Sequence, residues 1–267
     1  MFMDELYFLN DGSYDIDSGA YCGIVPKVLW SKYFNDNDNK IRNTTNIPFL
    51  KINNKNILID SGMGNNFSER FIKNFRPEKN HDVENQLRDY GVKNIDLIIQ
   101  SHMHFDHSGH TFSKNNIFKK TEIILQKREL NAFRKPNDFT RGSYIKNRMN
   151  KKMILVDGSR RISGNINVIF TSGHTEGHEV ILFEINSKKY LYGGDLFPSA
   201  FHIKPYYLTA LDSYPLNSLK MKKKLLNKVI REKILMIFNH DDKNVLCEVY
   251  GTVEKPLINK LDMDKYY

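Results

Sequence analysis

Cysteine occurs twice in the 267 residues, at Cys22 and Cys247, and tryptophan once, at Trp30. Two thiols exclude a disulfide framework and fit buried free cysteines in a reducing cytoplasm, the expected compartment. No apolar run approaches the length of a membrane span. The start, Met1-Phe2-Met3-Asp4-Glu5, carries acid rather than base and lacks the apolar core of a signal peptide, so export is not expected. Internal repeats, low-complexity tracts and proline-rich linkers are missing too. What is present, 40% hydrophobic and 27% charged residues, is a soluble globular composition long enough for a proper core. The expectation is a single domain over 1–267, with an N-terminal extension (about 1–45) and a surface insertion (about 126–152).

The net charge of +9 raises the question of a polyanionic partner. The densest basic run, Lys220-Met221-Lys222-Lys223-Lys224, lies in a helical stretch whose apolar positions are Leu216, Leu219, Leu225, Leu226 and Val229. Charges between such residues form a solvated helix face, so nucleic-acid binding is not expected.

Short apolar runs recur along the chain. Ile47–Ile52 and Asn56–Asp60 read as a hairpin turned at Asn53-Asn54-Lys55, because Asn tolerates the left-handed conformation. Asp82–Tyr90 has helical periodicity, stopped by Gly91. Strands are predicted at Ile95–Ile99, Glu122–Leu125, Val168–Phe170, Glu179–Phe183, Tyr190–Tyr192 and Ile234–Phe238. A helix through Phe133 follows the second of these, and another spans Leu216–Val229. Segment 126–152 is basic and irregular. Strands come in blocks rather than alternating with helices, which predicts two sheets flanked by helices, an α/β chain without a doubly wound parallel sheet.

The most informative stretch is Ser101-His102-Met103-His104-Phe105-Asp106-His107. It places three imidazoles and a carboxylate in six positions directly after the strand Ile95–Ile99. Such a loop can turn His102 and His104 toward one metal ion while Asp106 and His107 face a second. Imidazole and carboxylate without thiolate suit zinc or another first-row divalent ion. Two ions need more ligands, and later strand ends carry them: His174 in Thr171-Ser172-Gly173-His174, Asp195 in Gly193-Gly194-Asp195, and His240 in Asn239-His240-Asp241.

These motifs resemble the metallo-β-lactamase superfamily over nearly the whole chain, from Asp60-Ser61-Gly62 to Asn239-His240-Asp241. The resemblance implies an αβ/βα sandwich with two metal ions at one edge of its sheets. By position it implies His102, His104 and His174 on one ion, Asp106, His107 and His240 on the other, and Asp195 bridging. Asp60 would orient the ligand loop, and His178 fits such an orienting role better than that of a ligand. The segments Leu9–Tyr14 and Asp17–Trp30 are similar to the lead-in of a subgroup containing quorum-quenching acyl-homoserine-lactone lactonases and organophosphate-hydrolysing relatives, and make a homodimer compatible by resemblance. His110 departs from that pattern and either packs or lines the cleft.

Two close divalent ions, zinc foremost and manganese, iron or cobalt also suitable, lower the pKa of a shared water so that hydroxide is available near neutral pH. Asp106 would ligate and relay the proton. The expected reaction is hydrolysis of a lactone or related small ester. A glyoxalase II-like thioesterase and an RNA- or DNA-processing nuclease of the same fold use the same ligands and stay open. For the substrate, His202, Tyr206 and Tyr207 follow Asp195, and a phenol there would bond a carbonyl oxygen, as a tyrosine does in similar lactonases. Tyr21, Phe105 and Trp30 are suited to wall a pocket.

Overall fold

Two thirteen-residue strands, β1 (Glu5–Asp17) and β2 (Lys40–Ile52), pair antiparallel along their length around the short helices α1 (Ser18–Cys22) and α2 (Lys27–Trp30). The segment expected as an N-terminal extension is therefore the outer edge of a sheet. This computed structural model describes residues 4–79, 82–112, 116–145 and 151–262. The hairpin from β2 to β3 (Lys55–Ile59) turns where the sequence indicated, with Asn53 and Asn54 both left-handed at φ 51° and 59°. The chain then crosses the sheet through α3 (Glu69–Phe75) and α4 (Val83–Asp89). Ser68 Oγ caps α3, and Asp82 caps α4 through the N–H groups of Glu84 and Asn85. β4 (Leu97–Ile99) returns parallel to β3. The one-turn helix α5 (Phe105–Ser108), strand β5 (Glu122–Gln126), helix α6 (Lys127–Arg134) and strand β6 (Met153–Val156) complete the first half, and the sheet order is β1-β2-β3-β4-β5-β6.

The second sheet contains β7 (Arg160–Ser163), β8 (Ile166–Phe170), β9 (Glu179–Ile185), β10 (Lys188–Tyr192), β11 (Leu235–Ile237), β12 (Leu246–Gly251) and β13 (Pro256–Lys260), in order β13-β12-β11-β10-β9-β8-β7. Helix α7 (Pro215–Glu232) carries the crossover between the parallel strands β10 and β11. The inner faces of the two sheets meet in one core, where Leu50, Ile57, Ile99 and Ile124 pack against Val168, Ile181, Phe183 and Ile237. Leu225, Leu226 and Val229 of α7 cover the outer face of the second sheet, and Val83 and Leu87 of α4 cover that of the first. Two helix-covered sheets, face to face, give the α/β sandwich that the blocks of strands predicted.

Three expectations need correction. Residues 126–152 are not irregular throughout, because α6 buries Glu129, Leu130 and Phe133, and Tyr144 beyond it is buried too; 146–150 lie outside the described residues. In α7, Lys222 is not on the solvated face. It is fully buried, with Nζ donating to the Tyr207 carbonyl at 2.7 Å, and burial pulls its pKa down to about 7. Leu216, read as an apolar position of that helix, is 79% exposed. Both cysteines are buried and free, as expected. Among the described residues no helix is long and apolar enough to cross a membrane.

Candidate metal centre

β8, β10 and β11 run in the same direction, since β8 and β10 are both antiparallel to β9 and β10 is parallel to β11. Their C-terminal ends therefore open on one edge, and they deliver His174, Asp195 and His240 there. β4 supplies the ligand loop from the other sheet, and the Ser101 carbonyl accepts from Glu179 N at 3.0 Å, joining the sheets at this edge. In the loop, Gln100 is fully buried and its Nε2 lies 2.8 Å from both the His102 and His107 carbonyls. That amide pins the two ends of the turn. Close approach explains two glycines. At Gly173 (φ +100°) a Cβ would sit 2.4 Å from Ser218 Oγ, and at Gly194 (φ +47°) one would sit 2.8 Å from His178 Nε2.

The seven residues named as ligands converge. His102, His104, His174 and Asp195 offer ligand atoms all within 4.8 Å of one another, and so do Asp106, His107 and His240. Asp195 lies between the groups. Its Oδ2 is 3.2 Å from His174 Nε2 and 3.9 Å from His102 Nε2, while its Oδ1 is 3.1 Å from His107 Nε2 and 3.2 Å from His240 Nε2. The donor set fits divalent cations on a further ground. His102 Nε2 and His104 Nε2 are buried with no hydrogen-bond partner, a state that is costly unless something else takes their lone pairs.

Three of the rings, those of His107, His174 and His240, are aimed from behind. Asp60 accepts from His107 Nδ1 (2.8 Å), Ser101 N and Oγ (both 2.6 Å), Gln100 Nε2 (2.9 Å) and Tyr192 Oη (2.7 Å). Asp212 Oδ1 accepts from His174 Nδ1 at 2.9 Å, and the Thr44 carbonyl accepts from His240 Nδ1 at 2.6 Å. His178 touches no member of either group through a lone pair aimed at the centre. Its Nε2 instead accepts from the Asp195 backbone N–H at 3.1 Å and its Nδ1 is 2.7 Å from Thr171 Oγ1, so it holds the Asp195 turn. Asn239 Nδ2, 3.0 Å from His240 Nε2 and 3.2 Å from His107 Nε2, closes the centre on the β11 side. Glu129 of α6 ties two ligand loops together, accepting from Met103 N (2.9 Å), Thr175 Oγ1 (2.5 Å), Gly177 N (3.2 Å) and Tyr144 Oη (3.1 Å).

The electrostatics divide the imidazoles. Burial, reinforced by neighbouring rings, pushes His102 and His104 well below the usual histidine value, which keeps their lone pairs free. For His107 and His174 burial acts in the same sense but is outweighed, chiefly by Asp195, and both rise. Burial would raise Asp195, yet His107, His174 and His240 hold it well below the carboxylate range. An ionised carboxylate amid imidazoles is a centre that draws positive charge.

A cavity of about 890 Å³ opens onto His104, Asp106, Asp195 and His240. Tyr14, Tyr21, Phe67, Phe71, Phe75 and Phe105 form an aromatic part of its wall, and Arg70 and Arg141 also line it. Tyr21 and Phe105 line the cavity and also belong to the core cluster beneath it. His202, Tyr206 and Tyr207 do not line it. His202 is fully buried, its ring 2.8 Å from Ser199 Oγ and 2.9 Å from the Tyr21 carbonyl, and burial takes its pKa to about 3. Tyr206 is 49% exposed beside Lys223, and Tyr207 packs tilted against Phe201 with ring centroids 4.7 Å apart. Trp30 is core, packed in the cluster behind the N-terminal strands. His110 packs on Phe118 with Nε2 3.2 Å from Asp11 Oδ1, away from the cavity. His81, which the sequence alone reads as an exposed residue opening a helix, lies outside the described residues. Sequence reasoning missed Tyr14, Glu129 and Asp212; each is a commonplace residue type whose partner is distant in the chain.

Residues 42–234 match the model of the metallo-beta-lactamase superfamily. An N-acyl homoserine lactonase of Bacillus cereus is 27% identical over 265 residues, covering 94% of this chain and 98% of that protein. The crystal structure of a probable metal-dependent hydrolase from Staphylococcus aureus superposes with a TM-score of 0.86 at 28% identity, over 98% of this chain and 100% of that one. An N-acyl homoserine lactone hydrolase crystallised with N-hexanoyl-L-homoserine bound at its catalytic metal centre has the same fold, with a TM-score of 0.72 at 23% identity over 91% and 95% of the two chains. With the family's match spanning most of the sequence and the strand-end histidines and aspartates gathered at one sheet edge, this chain belongs to the metallo-beta-lactamase superfamily and is a metal-dependent hydrolase.

Proposed function

We propose that the protein is a dinuclear hydrolase that opens lactones, N-acyl homoserine lactones foremost. The observation that carries this reading is Asp195, which turns one carboxylate oxygen to each of two ligand groups. His102, His104 and His174 would hold one divalent ion, Asp106, His107 and His240 the other, and Asp195 both. Nitrogen and oxygen donors without thiolate favour zinc, with manganese, iron and cobalt also accommodated. When bound, such a pair supplies Lewis acidity and activates water at neutral pH.

The chain's own residues provide the rest. Asp60, Asp212 and the Thr44 carbonyl keep the rings aimed before substrate arrives, so no reorientation accompanies the reaction. Asp106 borders the cavity and is positioned to pass a proton to the leaving alkoxide as the ring opens. Phe67, Phe71, Phe75 and Phe105 present an apolar wall that takes an acyl chain and excludes water around the centre.

The similar Bacillus cereus protein is named for this activity and is matched nearly end to end, which supports a lactone over the thioesters and nucleic acids that the same ligands serve elsewhere. The test is a panel of acyl lactones, thioesters, phosphoesters and RNA on zinc-reconstituted protein. Lactone opening that chelator abolishes and zinc restores is expected. Turnover confined to thioester or RNA would replace this reading.

A further inference from the structure

The floor of the cavity carries a phenol that faces a ligand. Tyr14 is 2% exposed, with its ring edge-on to Phe105 (centroids 5.2 Å) and to His240 (6.1 Å). Its hydroxyl donates to Asp106 Oδ2 and accepts from Asn43 Nδ2 at 3.0 Å. Donation from Asn43 occupies the phenol's lone pair, so the phenolic proton is directed at the carboxylate. Tyr14 and Asn43 are direct cross-strand partners in the β1–β2 register, which builds the pair into the sheet. The oxygen it holds is the same one that approaches His240 Nε2 at 3.4 Å and His107 Nε2 at 3.9 Å. Among the described residues no other hydrogen bond reaches the Asp106 carboxylate, whereas His107, His174 and His240 each have a partner behind the ring.

We propose that Tyr14 is a positioning residue for Asp106: its phenol fixes the rotamer of that carboxylate and draws charge from Oδ2, setting how Asp106 serves the second ion and the proton transfer. A hydrogen bond to a ligating carboxylate both orients it and tunes its donor strength. The inference rests on the metal reading of the site, so its test includes a readout that needs no lactone. Tyr14→Phe keeps the ring and removes only the hydroxyl. Titrated with cobalt(II), Tyr14→Phe is expected to bind one of its two ions about 10–100-fold more weakly than the unmodified chain, with a changed visible absorption band. On N-hexanoyl homoserine lactone, kcat should fall by about 10–100-fold while KM stays within about threefold. Asn43→Ala, which frees the phenol without deleting it, should shift the same readouts in the same sense by less. Cobalt affinity, spectrum and kcat all matching the unmodified chain in Tyr14→Phe would overturn the role of Tyr14 alone. An unmodified chain that takes up no cobalt would overturn the metal reading and this inference with it.

Discussion

His102, His104 and His174 on one side of Asp195, and Asp106, His107 and His240 on the other, are held in place by different means. In the first group His174 leans on Asp212 and His102 lies 3.0 Å from Ser101 Oγ, but His104 meets only His174, at 3.1 Å, and packs edge-on against Tyr144. Its position comes from packing. In the second group every member has its own hydrogen-bonded partner: Tyr14 for Asp106, Asp60 for His107 and the Thr44 carbonyl for His240. Two of these three line the cavity, against one of the first three. The side open to substrate is the side most fully braced, as expected where ligands must hold their geometry without a packed neighbour in front of them.

The largest effect should come from removing what both groups share. Asp195→Ala is expected to cut lactone turnover on the order of 10⁴-fold, several kcal/mol of lost charge stabilisation, and to lower the bound metal below two ions per chain by elemental analysis. Asp106→Asn breaks only the second group. It keeps the size of the residue and an oxygen to accept from the Tyr14 phenol, so the melting temperature should hold while kcat drops about 10²–10³-fold, the loss of a positioned proton donor. Unchanged kcat would remove Asp106 from that role.

Asp212→Asn and Asp60→Asn sharpen the comparison, since each loosens one ring. Both should weaken metal binding by about 10–100-fold in chelator competition. Asp60 also holds Ser101, Gln100 and Tyr192, so only its variant should melt earlier. Equal thermal stability of the two would contradict the bracing described. Glu129→Ala tests the packing of the first group. It strands the N–H groups of Met103 and Gly177, and urea unfolding should register a loss of roughly 1–3 kcal/mol for each group left unsatisfied.

The remaining prediction is a pH dependence behind the first group. Burial raises Glu179 to about 8, with Gln126 Nε2 donating to it at 2.5 Å. A raised carboxyl favours the folded state while protonated, so its contribution is complete below about 4.5 and is lost as pH climbs through about 8. Glu179→Gln should therefore gain stability relative to the unmodified chain between pH 5 and pH 9 in urea titrations. A constant difference across that range would contradict the assignment.

The ligand loop was legible because its four donors are contiguous and follow an apolar strand, and the later three because each ends a strand beside glycine or a small polar residue. The bracing was not. Tyr14 meets Asp106 across 92 positions, Asp212 meets His174 across 38 and Glu129 meets Met103 across 26, and no local pattern announces such pairs. Lys222 was misread for a related reason: periodicity assigns faces, but not a carbonyl waiting opposite one lysine. The phenols that line the cavity are Tyr14 on β1 and Tyr21 on α1, not Tyr206 or Tyr207 after Asp195.

Anomalous diffraction from crystals of the zinc-loaded chain tests the central claim most directly. The expected result is two peaks, one among His102, His104 and His174 and one among Asp106, His107 and His240, each about 2.0–2.2 Å from an Asp195 oxygen. A single peak, or peaks with Asp195 bound to neither, would contradict it.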